Sequence, residues 1–176
     1  NTFNDALGQE NWIYSFDSNI LQDGTHVVFV KVWDNYETQA MYSSLINIDN
    51  TAPEIYVNLP VDATKTSGNL FLSGNVYDNI NLQNVYVRIR SLSDSRTAIP
   101  SSLARIELEK NIIMNKVVDI SSLPDGYYNI EFVAEDSAGN VARASRNITL
   151  DKTPVEEKIV QLYPLNGEHV DGFFNI

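Results

Sequence analysis

The stretch from Leu123 to Asp151 carries a hairpin pattern that occurs once before in the same chain, from Leu21 to Asp49. It opens on Pro124-Asp125-Gly126 and alternates apolar residues at Tyr128, Ile130, Phe132 and Ala134. It then reverses through Asp136-Ser137-Ala138-Gly139-Asn140 and alternates again at Ala142, Ala144, Ile148 and Leu150. Period-two alternation on both sides of a Gly-Asn turn predicts two antiparallel strands with one face in a core. In the earlier stretch His26, Val28, Val30 and Val32 take the inward positions, Asp34-Asn35-Tyr36-Glu37 turns the chain, and Ala40, Tyr42, Ile46 and Ile48 return it. A shift of 102 positions lays one stretch on the other: Asp17 on Asp119, Asp23-Gly24 on Asp125-Gly126, Asp34 on Asp136, Asp49 on Asp151, Thr51 on Thr153. Pro60 meets Pro164 after a two-residue adjustment. A period close to a hundred residues is the size of one small sandwich, so the repeat implies tandem domains.

The period sets the boundaries. Residues 1–51 hold the later strands of one repeat, 52–152 a complete repeat, and 153–176 the first strands of another. Pro53 and Pro154 close the two junctions, since proline neither donates to a ladder nor continues a strand. Within 52–152 the alternation predicts strands at Glu54–Leu59, Asn69–Tyr77, Asn84–Arg90, an edge strand at Ala104–Glu109, Ile113–Ile120, and the final hairpin. Leu70, Leu72, Val76, Val85, Val87 and Ile89 face inward, and Tyr86, Arg88 and Arg90 outward. Pro100-Ser101-Ser102-Leu103-Ala104 is an alternative helix start. A further strand is predicted at Asn11–Asp17, with Trp12, Tyr14 and Phe16 on one face. The fold class is all-β, an antiparallel sandwich of about seven strands.

Composition narrows the function classes. A net charge of −11 repels phosphate backbones and argues against nucleic-acid binding. With no Cys there is neither a disulfide nor a thiolate metal site. No apolar run is long enough to span a bilayer, and Asn1 does not open a signal peptide. A chain that starts at Asn1 and stops at Ile176 within an apolar strand reads as a piece of something longer, with unpaired strand edges that invite dimers.

These residues resemble the bacterial immunoglobulin-like domains strung in tandem in large secreted and surface proteins. The matching pattern is Trp12-x-Tyr14-x-Phe16-Asp17 and Leu21-x-Asp23-Gly24-x-His26 in the first copy. In the second it is Leu123-x-Asp125-Gly126-x-Tyr128, Ala134-x-Asp136-x-Ala138-Gly139-Asn140 and Asp151-Lys152-Thr153-Pro154. The Leu123-Pro124-x-x-Tyr127 corner is also similar to fibronectin type III modules. The resemblance implies an extracellular, non-catalytic spacer or adhesive module whose partners are its own neighbouring domains and a protein or glycan ligand. It carries over no catalytic residues. The first copy departs from the pattern in lacking the Ala-Gly-Asn turn.

Three sets of residues are candidates for a role. Tyr128 sits where such sandwiches place a corner tyrosine, and His26 takes the same place in the first copy. No Ser lies in a Gly-x-Ser-x-Gly elbow, and His26 and His169 have no orienting carboxylate, so an enzyme is not expected. Asp34, Asp49, Asp136 and Asp151 recur near strand ends, where loop oxygens can converge on calcium, although no spacing resembles an EF-hand; no other cofactor is implied. Val27, Phe29 and Trp33 face outward in the first copy, where the second has Asn129, Glu131 and Glu135. An outward apolar strip is a contact surface for a partner, for sugar rings, or for a neighbouring domain. The alternative function is therefore a carbohydrate-contacting accessory module of a large secreted polysaccharide-active enzyme.

Overall fold

The computed structural model describes residues 11–110 and 113–154, together with Asn4 and Ala6. The predicted strands of 153–176, and with them Pro164 and His169, lie outside the described residues.

After a 3-10 turn at Ser18–Ile20 come β1 (Gly24–Trp33), β2 (Gln39–Ile48), β3 (Glu54–Leu59), β4 (Thr64–Thr66), β5 (Asn69–Tyr77) and β6 (Leu82–Ser91). A single helical turn, α1 (Ser101–Ala104), leads into β7 (Ile106–Glu107), β8 (Ile113–Asp119), β9 (Gly126–Asp136) and β10 (Val141–Leu150). β3, β5 and β8 form one antiparallel sheet, and β4-β10-β9-β6-β7 another, while β1 and β2 pair only with each other among the described residues. The two larger sheets face one another as a sandwich, the arrangement of an immunoglobulin-like domain.

The core follows the alternation. Leu70, Leu72 and Val76 of β5 meet Val85, Val87 and Ile89 of β6 and Tyr128, Ile130, Phe132 and Ala134 of β9, all buried. Leu103 and Ile106 close the side below α1. At Gly74 a Cβ would collide with the carbonyl oxygen of Tyr56, so glycine is what lets β3 and β5 approach there.

Three features depart from the expectation. The region 104–109 is strand only at Ile106–Glu107, preceded by the helical turn that Pro100 opens. β4 adds a three-residue parallel edge to β10 through Thr64–Thr66 and Ile148–Leu150, too short to register as a period. Residues 11–17 form no strand beyond a single bridge at Ile13, and Trp12, Tyr14 and Phe16 are exposed. The reason lies in the repeat. Shifted by 102, this segment falls on β8, which is held as a strand by its pairing with β5. No equivalent of β5 stands beside residues 11–17 among the described residues, so their backbone groups have no ladder to join.

Candidate functional site

The two copies share a corner bond and an aspartate-closed turn at equivalent positions. The buried Tyr128 ring sends its hydroxyl to the Pro124 carbonyl at 2.7 Å, and His26 Nε2–H donates to the Gln22 carbonyl at 2.7 Å. Burial, with the Asp125 charge adding to it, pushes the Tyr128 hydroxyl pKa up. Asp136 Oδ1 accepts the N–H groups of Ala138, Gly139 and Asn140 at 2.8, 2.7 and 2.9 Å, closing the β9–β10 turn. Asp34 Oδ1 accepts those of Tyr36 and Thr38 at 2.8 and 2.9 Å, and these N–H groups, Thr38 first, hold its carboxyl below the usual range. Gly139 stands at φ +98°, and Glu37 takes the equivalent place at φ +65°, so the first copy closes its turn with a strained non-glycine residue.

The structure does not bring the four candidate aspartates together. Asp34 sits at the turn between β1 and β2, and Asp151 follows β10 at the end remote from Asp136. Asp151 is held low by the Thr153 N–H and hydroxyl. Asp49 and Asp136 do meet at the junction between the β1–β2 hairpin and the sandwich. There burial first, then the charge of Asp136, and lastly those of Asp78 and Asp23, push the Asp49 carboxyl up. Asp78 Oδ2 is buried without a hydrogen-bond partner, while its Oδ1 takes the N–H groups of Ile80 and Asn81. Among the described residues no group of three or more His, Cys, Asp or Glu is placed to hold a metal ion.

What the junction does carry is a polar clasp. Asp23 accepts the Asn50 N–H at 2.7 Å, the Thr51 hydroxyl, and the Asn79 side-chain amide at 2.9 Å, so one carboxylate ties the corner ahead of β1, the linker and the β5–β6 loop. From the other side the Asn140 amide donates to the Asp49 carbonyl at 3.0 Å and to Asp136 Oδ2 at 2.8 Å. The hydrogen bonds of Asp23, led by the Thr51 hydroxyl, lower its pKa. Asp23 and Asn79 carry no sequence signal as site residues, since either looks like an ordinary turn former.

The contact candidates lie on the hairpin. Val27, Phe29 and Trp33 are 50%, 46% and 61% exposed on one face of β1. Register places Leu45 opposite Val27 and Met41 opposite Lys31, which widens the strip on β2. Both of these are exposed, and Lys31 is the sole charged side chain of the two strands. In the sandwich the matching positions are occupied by Asn129, Glu131 and Glu135, and Glu135 is tied to Tyr86 and Asn84 at 2.9 and 3.0 Å. No helix among the described residues is long and apolar enough to cross a membrane.

A family model described as bacterial Ig-like domain (group 3) matches residues 10–106. The matched stretch begins ahead of β1 and ends at the first residue of β7, so it crosses the linker and covers nearly one period of the repeat in a different phase from the sandwich. No curated protein matches the chain at a significant level. Among solved structures the chain is similar to the endo-beta-1,4-mannanase from Thermotoga petrophila, at TM-score 0.46 and 15% identity over 60% of this chain and 21% of that one. It is also similar to a tetra-tandem repeat in the extending region of a large adhesion protein, at TM-score 0.44 and 24% identity over 80% and 35%. The chain thus spans about a fifth to a third of those structures.

Proposed function

The chain belongs to the bacterial Ig-like domain family (group 3), and from that premise we propose that it is a non-catalytic spacer and adhesive module of an extracellular or cell-surface protein. It consists of the later strands of one repeat at 1–51, a complete repeat at 52–152 and the first strands of a following repeat at 153–176. The observation that carries this reading is the pairwise recurrence, 102 residues apart, of the corner bond and the aspartate-closed turn. The clasp at Asp23 and Asn79 gives successive repeats a restricted range of angles, the property a stalk requires. Its partners are first its own neighbouring repeats. Residues 52–154 expressed alone test the division: they are expected to unfold in one transition near that of the full chain, and an unfolded fragment refutes the boundaries.

A second reading, a carbohydrate-contacting accessory module, is favoured by the exposure of Phe29 and Trp33 on one face. Affinity electrophoresis in gels containing β-mannan or β-glucan tests it. Retardation that disappears in Trp33→Ala supports the reading, and unretarded migration in every polysaccharide removes it. The β1 edge, unpaired among the described residues, also supports weak dimers at high concentration, which light scattering reads directly.

A further inference from the structure

The three-stranded sheet β3-β5-β8 lies wholly within the complete repeat, and its outer face differs from the rest of the sandwich surface. Leu70, Leu72 and Val76 of β5, with Met114 and Val118 of β8, turn to the core, so the residues between them face outward. On β5 these are Phe71, Ser73, Asn75 and Tyr77. Register sets Val117 beside Phe71, Asn115 beside Ser73 and Tyr56 beside Asn75. Phe71, Tyr77 and Val117 are each 57% exposed and Tyr56 58%. β5 is paired along both edges, so these side chains are uncovered by the direction they face and not by a missing strand. Charge stands only at the two ends of the face, in Glu54 opposite Tyr77 and Asp119 opposite Asn69. Lys116, opposite the buried Leu72, reaches instead to the Glu107 carbonyl at 2.9 Å. The five-stranded sheet is the reverse case, with Arg88, Arg90, Glu131 and Glu135 bonded across its outer face. In a chain of net charge −11, a charge-free band edged by aromatic rings is a departure that calls for an occupant. Its polar groups are also free: the Ser73, Asn75 and Asn115 side chains and the Tyr77 hydroxyl make no hydrogen bond among the described residues. Asn81, Asn84, Asn129 and Asn140, elsewhere in the sandwich, all donate to a partner.

We propose that this face binds a neutral polysaccharide chain lying along β5. Phe71 and Tyr77 stand six residues apart on one strand, roughly 20 Å at about 3.3 Å per residue, which is the reach of several sugar rings and not of one. Their rings, with Tyr56 diagonal to Tyr77, offer flat apolar surfaces to the C–H faces of the sugars. Between them the amides of Asn75 and Asn115 and the Ser73 hydroxyl both donate and accept, as sugar hydroxyls do, so each can be paired whichever way a ring is turned. An apolar protein face laid on the same surface would bury those groups without partners, which costs their hydrogen bonds to water. An anionic chain would meet Glu54, Asp119 and the negative field of the whole protein. The proposal rests on the carbohydrate reading for its ligand class, and it places the contact on the complete repeat instead of the β1 strip, so Trp33 separates the two.

Affinity electrophoresis of the full chain in gels containing β-mannan, β-glucan or xylan tests the proposal, with polygalacturonate as the anionic control. Retardation is expected in at least one neutral gel and none in polygalacturonate. Phe71→Ala and Tyr77→Ala, at exposed positions outside the core, are each expected to weaken the retardation roughly tenfold. Asn75→Asp, nearly the same shape with a charge added mid-face, is expected to weaken it as well, and Trp33→Ala to leave it unchanged. Oligosaccharides of the retarding polymer, added to the isotope-labelled chain without any substitution, are expected to shift amide resonances of β5 and β8 and not those of β1. The proposal is overturned if no neutral polysaccharide retards the chain, if the shifts map to β1 or β9, or if retardation survives both Phe71→Ala and Tyr77→Ala. Retardation lost only in Trp33→Ala overturns this placement and leaves the carbohydrate reading standing on β1; no retardation in any gel removes both. Self-association of the chain that Phe71→Ala abolishes overturns it in favour of a second copy as the occupant.

Discussion

Asn50 and Lys152 reach the same carbonyl in successive copies: Asn50 Nδ2 donates to Leu21 O at 3.2 Å and Lys152 Nζ to Leu123 O at 2.8 Å. Each linker is thereby fastened back onto the corner it has just left. Lys152 adds a bond to Ser121 O at 3.2 Å and lies 3.6 Å from Asp125 Oδ1. Because the pair is partly exposed, the hydrogen bonds rather than the ion pair dominate. Lys152→Ala is expected to lower the sandwich stability by on the order of 1 kcal/mol. Lys152→Asn, which imports the first copy's solution, is expected to recover part of that loss in urea denaturation.

The clasp at the first junction has opposed titrations. Asp23 is held below its ordinary 3.8, so its contribution is fully present above 3.8 and is lost as pH falls through the lower folded value. Asp49 is raised above 3.8 by burial and by Asp136, so its charge weakens the junction near neutrality, and protonation relieves this before Asp23 is reached. Protection of the Asn79-loop amides, corrected for the intrinsic pH dependence of exchange, should therefore rise slightly on acidification towards pH 4 and fall below 3.8. An Asp49→Asn chain should lose the first phase and keep the second; a single monotonic profile in both proteins would contradict the assignment.

Asp136 and Asp34 make the same turn with unequal consequences. Asp136 is completely buried and satisfies three N–H groups and the Asn140 amide. Asp136→Ala orphans these donors beside the core and is expected to cost about 3 kcal/mol, a fall in Tm of roughly 10 °C or more. Asp34→Ala opens an exposed turn of the hairpin and should leave the melting of the sandwich unchanged. Calorimetry of the two variants separates the copies as folding units.

Much of this was legible in the sequence, and what was not has a physical reason. The inward sets of β5, β6 and β9 can be read from alternation because burial on one face is what selects those residues. The aspartate turns and the corner can be read because Asp-Gly spacing dictates local bonds that need no distant partner. The segment 11–17 misleads because alternation reports the capacity to be a strand, whereas a strand also needs a neighbour to pair with. Tyr86 shows the complementary gap: alternation places it outward, as found, yet it is buried there, because the Arg105 guanidinium lies 3.5 Å from its ring centroid. Such a lid comes from the residue joining α1 to β7, at a distance in sequence that periodicity does not address. The junction clasp is hidden for the same reason, since Asp23 and Asn79 become neighbours only through the linker between them.

Glu37 offers a test of strain. It holds φ +65° where the complete copy has Gly139. A side chain in the left-handed region costs about 1–2 kcal/mol, and the extra freedom of glycine in the unfolded chain returns part of that. Glu37→Gly is therefore expected to stabilise the hairpin by roughly 0.5–1 kcal/mol, seen as slower amide exchange along β1 and β2. Gly139→Glu should move the melting of the sandwich the opposite way.

Tyr86 and Tyr128 are expected to set the alkaline limit of the sandwich. The Tyr86 ring is 1% exposed on the outer face of the larger sheet, between Arg105 and Arg88, whose guanidinium carbons lie 3.5 and 5.0 Å from the centroid. Its hydroxyl donates to Glu135 Oε1 at 2.9 Å and accepts from Arg88 at 3.0 Å. Burial, then the bond to Glu135, raises its pKa above 10, and the two arginines only partly oppose this. Tyr128 is raised as well, by burial and Asp125. For both, the folded state binds the proton more tightly than the unfolded one, so their contribution is complete below pH 10 and lost as pH rises through the folded values. Stability measured by urea should accordingly hold up to pH 10 and decline above it. Tyr86→Phe removes one ionising group together with its hydrogen bond to Glu135. That variant should be less stable at pH 7 by about 1 kcal/mol and should lose less between pH 10 and 11. Parallel declines in the two proteins would show that Tyr86 is not what titrates.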